Sequence, residues 1–442
     1  MTANTTTPSP SSITKPVLIS GAGLSSLLLA QSLLQSNIPF EIYESDSSLT
    51  FRAQGYRLRL SALGLDAIES VLPPPLWQKF WETCSKTGGG GFGTIDALTG
   101  ERIAAPEPDG EPTGKKDGGK KGDGDGDRDR DGNGVGGPGA KTTIPAENLT
   151  SREGKIVGIS RGDMRRLFLT GCESHIHWSH RLVSYTLTST GVHAIFADGT
   201  KSPEGSLLVG GDGIHSQIAK QLSGGALKVY DTGARGIHGQ APTTAFKGLG
   251  EGVWRMVDDT NPSGRLSVIT NVRPNDMHDP SVAFGWTMAA VPGVINPPNN
   301  NYTLIGAPAA DLAKSLTRNW HTKFRGLFDE MNVAEAAFWK ITCSTPTGVP
   351  EWESEERVTV IGDAVHSMTP AGGIGANTAV RDSALLGRLL GEKWAQEEGN
   401  VEGVTKDYER EMRIYGSEAV RASYGQASKA FGVTIDSNTP TV

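Results

Sequence analysis

The residues best placed to do chemistry lie between Pro16 and Asp46. A short apolar run, Pro16-Val17-Leu18-Ile19-Ser20, leads into Gly21-Ala22-Gly23-Leu24-Ser25-Ser26. Gly21 allows a tight turn, Gly23 lets a pyrophosphate approach the backbone, and the small Ser26 lets the next helix pack on the strand. That helix is predicted from Leu24, Leu27, Leu28, Leu33 and Leu34, spaced three and four apart. Its first turn offers free N–H groups to an anion. A second apolar run, Phe40-Glu41-Ile42-Tyr43, ends at Glu44. A carboxylate there, about 20 residues past the glycines, can accept hydrogen bonds from a ribose. The chemistry implied is dinucleotide binding on a βαβ unit.

Because Ser26 replaces a third glycine, a strict G-x-G-x-x-G pattern misses this stretch and selects Gly88-x-Gly90-x-x-Gly93 and frames within Gly132 to Gly139. Context decides against both. No strand is predicted before the first, and the second sits in a glycine-aspartate tract without hydrophobic periodicity.

The elements that must position these residues follow in order. Phe51 to Leu60 reads as a strand with Gly55 at a point of close approach, and Arg52, Arg57 and Arg59 on it face either a cofactor or water. A helix over 62–71 is stopped by Pro73-Pro74-Pro75. From Pro106 to Gly139 the composition turns to Gly, Asp, Lys, Arg and Pro, which cannot bury enough apolar surface to offset ordering entropy. Asp127, Asp129, Asp131 and Gly132 imitate the start of an EF-hand, but Pro138 stands where a bidentate Glu is needed, so no metal is expected. Lys155 to Ser160 is a strand, followed by a helix with Arg161 in its first turn, where a cation is unfavourable unless an anion lies nearby. A hairpin over 182–196, a buried strand ending at Asp212-Gly213, strand-like runs over 227–291 and a helical stretch over 304–338 come next. A further buried strand over 357–362 leads into Asp363, and helices are predicted over 377–394 and 404–431.

The 442 residues carry a formal charge of −7, which gives no electrostatic case for nucleic acid or an anionic membrane. Hydrophobic residues make up 36%, enough for a core once the polar insert is set aside. Cys84, Cys172 and Cys343 are odd in number and lack C-x-x-C spacing, so neither a disulfide framework nor a zinc site is indicated. The first 14 residues lack the apolar stretch of a signal peptide, and no 18-residue apolar run is present. A cytoplasmic protein without a membrane anchor is expected.

Three strand ends therefore carry small-residue turns: Gly21/Gly23, Asp212-Gly213, and Gly362-Asp363 with the loop Gly372 to Ala376. Gly362-Asp363-Ala364, His366, Pro370, Gly373, Gly375, Asn377 and Asp382 follow the spacing G-D-A-x-H, P, G-x-G, N, D. In these features the chain resembles the class A FAD-dependent monooxygenases of the para-hydroxybenzoate and salicylate hydroxylase type, over about 15–100 and 150–430. The resemblance implies FAD as cofactor and NADPH or NADH as reductant. It implies that O2 is used to hydroxylate or epoxidise an aromatic or polycyclic small molecule through a flavin C4a-hydroperoxide. It also implies that Asp363 holds the ribityl chain and that Pro370 lies beside the flavin ring. The backbone of Gly373, Gly375, Ala376 and Asn377 would hold its pyrimidine edge, and Arg161, Asp212 and Gly213 would contact the cofactor. Ala219 departs from the family's usual basic residue, leaving the choice between NADH and NADPH open. Arg235 is the catalytic candidate, with Tyr230, His215 and His238 in the same region.

The expected fold is α/β: a Rossmann-like βαβ FAD-binding domain interleaved with a mainly β substrate domain, with a helical C-terminus. Its parts are a tail (1–14), the FAD-binding domain in three pieces (15–100, 151–226 and 341–431), a disordered insert (101–150), the substrate domain (227–340) and a second tail (432–442). The alternatives are an FAD oxidase or cyclase of the same fold and a redox-silent binding protein of the Rab GDP-dissociation-inhibitor type. A flavin halogenase lacks support, since no W-x-W-x-I-P segment is present.

Overall fold

The computed structural model describes residues 14–49, 57–88, 92–103, 150–273 and 276–442. Gly55, Arg52, the glycine-aspartate tract and the EF-hand-like stretch lie outside them. The chain opens with β1 (Val17–Ser20), α1 (Leu24–Gln35) and β2 (Phe40–Tyr43). Then come β3 (Arg57–Leu60), α2 (Ala62–Val71), α3 (Pro74–Thr83), β4 (Ser85–Thr87), β5 (Phe92–Asp96) and β6 (Arg102–Ile103). The next stretch holds β7 (Ile156–Ser160), α4 (Arg161–Leu169), β8 (Ile176–His177), β9 (Leu182–Leu187), β10 (Val192–Phe196), β11 (Leu207–Gly210) and α5 (Gln217–Leu222). Four long strands follow, β12 (Val229–Pro242), β13 (Gly252–Asp258), β14 (Leu266–Val272) and β15 (Ala283–Ala290), then α6 (Ala307–Leu316), α7 (Arg325–Asp329) and β16 (Ala337–Ser344). β17 (Val358–Val360), α8 (Asp363–His366), α9 (Gly375–Gln396) and α10 (Val404–Phe431) complete it.

Two sheets organise these elements. The first is parallel, in the order β17-β11-β1-β2-β8. Its central strands β1 and β11 are buried along their whole length, as all-parallel strands covered on both faces must be. Helices α1 and α9 pack together beside it through small side chains: a Cβ at Gly387 would lie 2.3 Å from Ser32 Cβ. The second sheet has seven strands, β16-β12-β15-β14-β13-β5-β6. One of its faces buries Ile237, Trp254, Met256, Val268, Trp286 and Met288 against Ala309, Ala313, Leu327 and Phe328 of α6 and α7. Its other face is left for the cleft.

The structure corrects several expectations. The prolines that end α2 also start α3, because Pro is tolerated in a first helical turn. A strand, β4, does precede Gly88, but the chain continues into β5 rather than a helix, so no βαβ unit forms there. β5 and β6 pair in the seven-stranded sheet through β13, although β5 lies at the end of the segment assigned to the first domain and β6 in the first residues of the segment, 101–150, expected to be a disordered insert. The stretch over 304–338 is only partly helical and ends inside β16. Residues 433–442 return to the start of β12, where the Asp231 N–H donates to Pro440 O at 2.8 Å.

Candidate active site

A single cleft of about 2510 Å³ runs between the carboxyl ends of the parallel sheet and the open face of the seven-stranded sheet. Its first wall begins at the turn after β1. Gly21 has φ +86°, and a Cβ there would stand 2.8 Å from the Gly211 carbonyl oxygen. Only glycine fits both the conformation and the space. Gly23 caps α1 without any side-chain hydrogen bond, leaving the helix N–H groups toward the cleft. Glu44 is buried and pinned over the turn, accepting the Ala22 N–H at 2.7 Å and the Asp46 N–H at 2.8 Å. Buried Arg165 donates to Ala22 O at 3.0 Å, a brace from α4. Ser26 does not line the cleft; it packs α1 on Gly211, where an added Cβ would meet its Oγ at 2.2 Å.

Asp212 and Gly213 follow β11 on the same wall. The Asp212 Oδ1 is buried without a partner, and burial pushes its carboxyl up to about 6 against opposing hydrogen bonds from Ser216 and Ser20. An orphaned buried acceptor facing a groove fits a ligand that brings donors.

The third turn is held from behind. Gly362, at φ +63°, donates its N–H to Asp382 Oδ2 at 2.7 Å, and the Tyr415 hydroxyl donates to Asp382 Oδ1 at 2.7 Å. His366 Nε2 stands 2.8 Å from the same carboxylate, off the axis of a hydrogen bond. Burial opposes charge on that imidazole, but Asp382 outweighs it and holds the ring's pKa above its ordinary value. Asp363 projects into the cleft; burial raises its carboxyl pKa, while His366 and Arg161 pull it back down. Arg161, in the first turn of α4, thus has its anion.

Beyond Pro370 the backbone turns through Gly372 and Gly373 at φ +78° and +62°, and Arg59 donates to Gly372 O at 3.0 Å. Gly375 and Ala376 begin α9 at the cleft with no side-chain cap. Asn377 lies behind them, its amide spent on Arg59 O, Gly373 O and the Ser61 N–H. It fixes the loop instead of lining the cleft. Arg57 does line the cleft, with its guanidinium donating to Ser85 Oγ and Gly158 O.

The second wall is the open sheet face. His238 reaches the cleft and stacks on Trp339 with ring centroids 4.9 Å apart and planes 6° apart. Its Nδ1 lies 3.2 Å from Thr287 Oγ1, and burial lowers the ring's pKa to about 3, so it stays neutral. Trp339 lies flat across Gly236, where a Cβ would come within 2.4 Å of its ring. Arg235 is not on this wall. Its guanidinium is bound to Asp231 at 2.6 Å and lies over the Tyr302 ring, outside the cleft lining. Arg235 and His238 lie in one regularly paired run, three residues apart, so pleat alternation sends them to opposite faces of the sheet. Tyr230 pairs with Cys343, and His215 lines the cleft near Asp212. Trp339 and Arg255 were missed in the sequence, because only strand register shows which face they take.

The chain matches the FAD binding domain family over residues 168–423, more than half its length. It belongs to that family, among the class A FAD-dependent monooxygenases. It is 28% identical over 410 residues to the dual O-methyltransferase/FAD-dependent monooxygenase CTB3 of Cercospora nicotianae, covering 86% of this chain and 42% of that protein. The chain spans about half the length of the first curated relatives it matches. It is 24% identical to the FAD-dependent monooxygenase thnD of Trichoderma harzianum, over 92% of this chain and 91% of that one. Among solved structures, an FAD-containing monooxygenase of Photorhabdus luminescens superposes with a TM-score of 0.68 at 23% identity, covering 94% of this chain and 98% of that one. That likeness speaks to the fold. No helix among the described residues is long and apolar enough to cross a membrane, and no group of three or more His, Cys, Asp or Glu among them could hold a metal.

Proposed function

We propose that this monooxygenase-family protein uses NADPH or NADH and O2 to insert one oxygen atom into an aromatic or polycyclic small molecule. The observation that carries the reading is the pairing of walls across one cleft. Uncapped helix N-termini and buried acids stand on one side, and a neutral, aromatic sheet face on the other. FAD fits the first wall: the α1 N-terminus would take its pyrophosphate, Glu44 the adenosine ribose, Asp363 the ribityl chain, and the Pro370 loop the ring. Bound there, it would take two electrons from the nicotinamide and activate O2, one oxygen atom entering the substrate and the other leaving as water.

The chain's own work is placement. The free N–H groups of Gly375 and Ala376 at the start of α9 favour negative charge on whatever lies against them. Arg161 keeps a cation beside Asp363, and the Asp382 brace keeps that turn from relaxing. On the opposite wall, neutral His238 and Thr287 exchange hydrogen bonds with a phenol without introducing charge, and the Trp339 face excludes water. Rapid mixing of the purified protein with NADPH, then NADH, without oxygen and afterwards with it, tests the reading. Bleaching of the flavin by either donor and its return with O2 are expected. A protein reduced by neither donor would overturn it.

A further inference from the structure

Arg255 is a cation that lines the cleft. Its Nε is buried and unpartnered, and among the described residues its guanidinium makes no ion pair. The carboxylate that acts on it from a distance, Asp259, is itself held by Arg265 at 2.6 and 2.9 Å. Arg265 also lines the cleft, so its charge adds to the burden on Arg255. A half-buried arginine is costly to keep unless something anionic meets it.

Strand register shows what would lie between. His238 pairs with Thr287, Thr287 with Ile269, and Ile269 with Arg255, so these four form one row across β12, β15, β14 and β13. Three strand spacings separate His238 from Arg255, roughly 14 Å. Between them the floor is low, with Gly285, Ala289 and Ser267 beside the row. Ile269 is 40% exposed, an apolar side chain turned into the cleft at mid-row. This is a flat apolar platform with an aromatic wall at one end and an unpaired cation at the other.

We propose that Arg255 is a specificity-determining residue that receives an anionic oxygen, carboxylate or phenolate, of a planar fused-ring substrate. The rings lie over Ile269 and Thr287 against the Trp339–His238 wall. The proposal rests on the monooxygenase reading only in taking this cleft as the substrate site.

The test titrates the purified FAD-loaded protein with 2-naphthoate, 2-naphthol and 2-naphthamide, following the flavin's visible band. The wild type is expected to bind naphthoate or naphthol about tenfold more tightly than the amide. Arg255→Gln should erase that preference and Arg255→Lys restore most of it, with FAD content checked in each. Loss confined to naphthoate assigns the carboxylate, and loss confined to naphthol the phenolate. A wild type that binds neither naphthoate nor naphthol better than the amide, or an Arg255→Gln variant that keeps the preference or weakens all three probes equally, would overturn the proposal. Flavin reduction by NADPH or NADH in the wild type is read without these probes, so failure with both donors would strike the monooxygenase reading alone.

Discussion

The two walls of the cleft are built by different means. The cofactor wall is made of backbone: glycines at positive φ, uncapped helix starts, and acids pinned by main-chain N–H groups. The sheet wall is made of side chains whose direction is set by register, and three glycine–tryptophan pairs show how much that matters. Gly93 and Gly239 lie under Trp254 and Trp286 on the core face, where both indoles donate to backbone carbonyls at 2.9 Å. Gly236 lies under Trp339 on the cleft face, and that indole N–H has no partner. The same local device fills a core on one side of a sheet and shapes a binding surface on the other.

Removing the brace behind the cofactor wall should have the largest effect. Asp382→Ala strips the acceptor from Gly362 and Tyr415 and removes the carboxylate 2.8 Å from buried His366, which should cost about 3–5 kcal/mol. Thermal unfolding would check it, and a change under about 1 kcal/mol would mean the turn holds itself. Gly21→Val should come next: the conformation alone costs roughly 1–2 kcal/mol, before the clash with Gly211 and Asp212. The variant should lose FAD, read as the ratio of visible to ultraviolet absorbance.

The glycine–tryptophan pairs offer a direct comparison. Gly239→Ala presses a methyl into buried Trp286 and should destabilise by about 1–3 kcal/mol, while Gly236→Ala displaces a ring that has a cleft to move into and should cost less than about 1 kcal/mol. Equal losses would deny that the two faces differ. An effect of comparable size concerns pH. The folded Asp212 carboxyl, at about 6, lies above its unfolded value of about 3.9, so the folded apoprotein binds the extra proton and loses stability as pH rises between them. Asp212→Asn should flatten that slope by about 1–2 kcal/mol across the window, measured as unfolding free energy of wild type minus variant.

This division also explains what could be read from the sequence. Gly21, Gly23, Glu44, Asp212, Asp363, Gly373 and Gly375 announce themselves because a phosphate or flavin contact needs a particular backbone, and only certain residues permit it. Helices α9 and α10 follow from their own periodicity. Ser26 packs the helix on the strand as its size suggests, while the side chain of Asn377, whose backbone is expected at the flavin, turns back to brace the loop, since a motif records spacing and not direction. Arg235 carries its charge in the right strand, but alternation puts it on the face opposite His238, where it pairs with Asp231. Trp339 and Arg255 carry no local signal at all; they become site residues only once β16 and β13 are placed in the sheet.

The most direct test of the central claim is uptake of FAD by the protein stripped of it. The account predicts a yellow protein with one FAD per chain and no uptake by Gly21→Val, while Gly236→Ala takes up FAD as the wild type does. A wild type that stays colourless with excess FAD, or a Gly21→Val variant that fills normally, would contradict it.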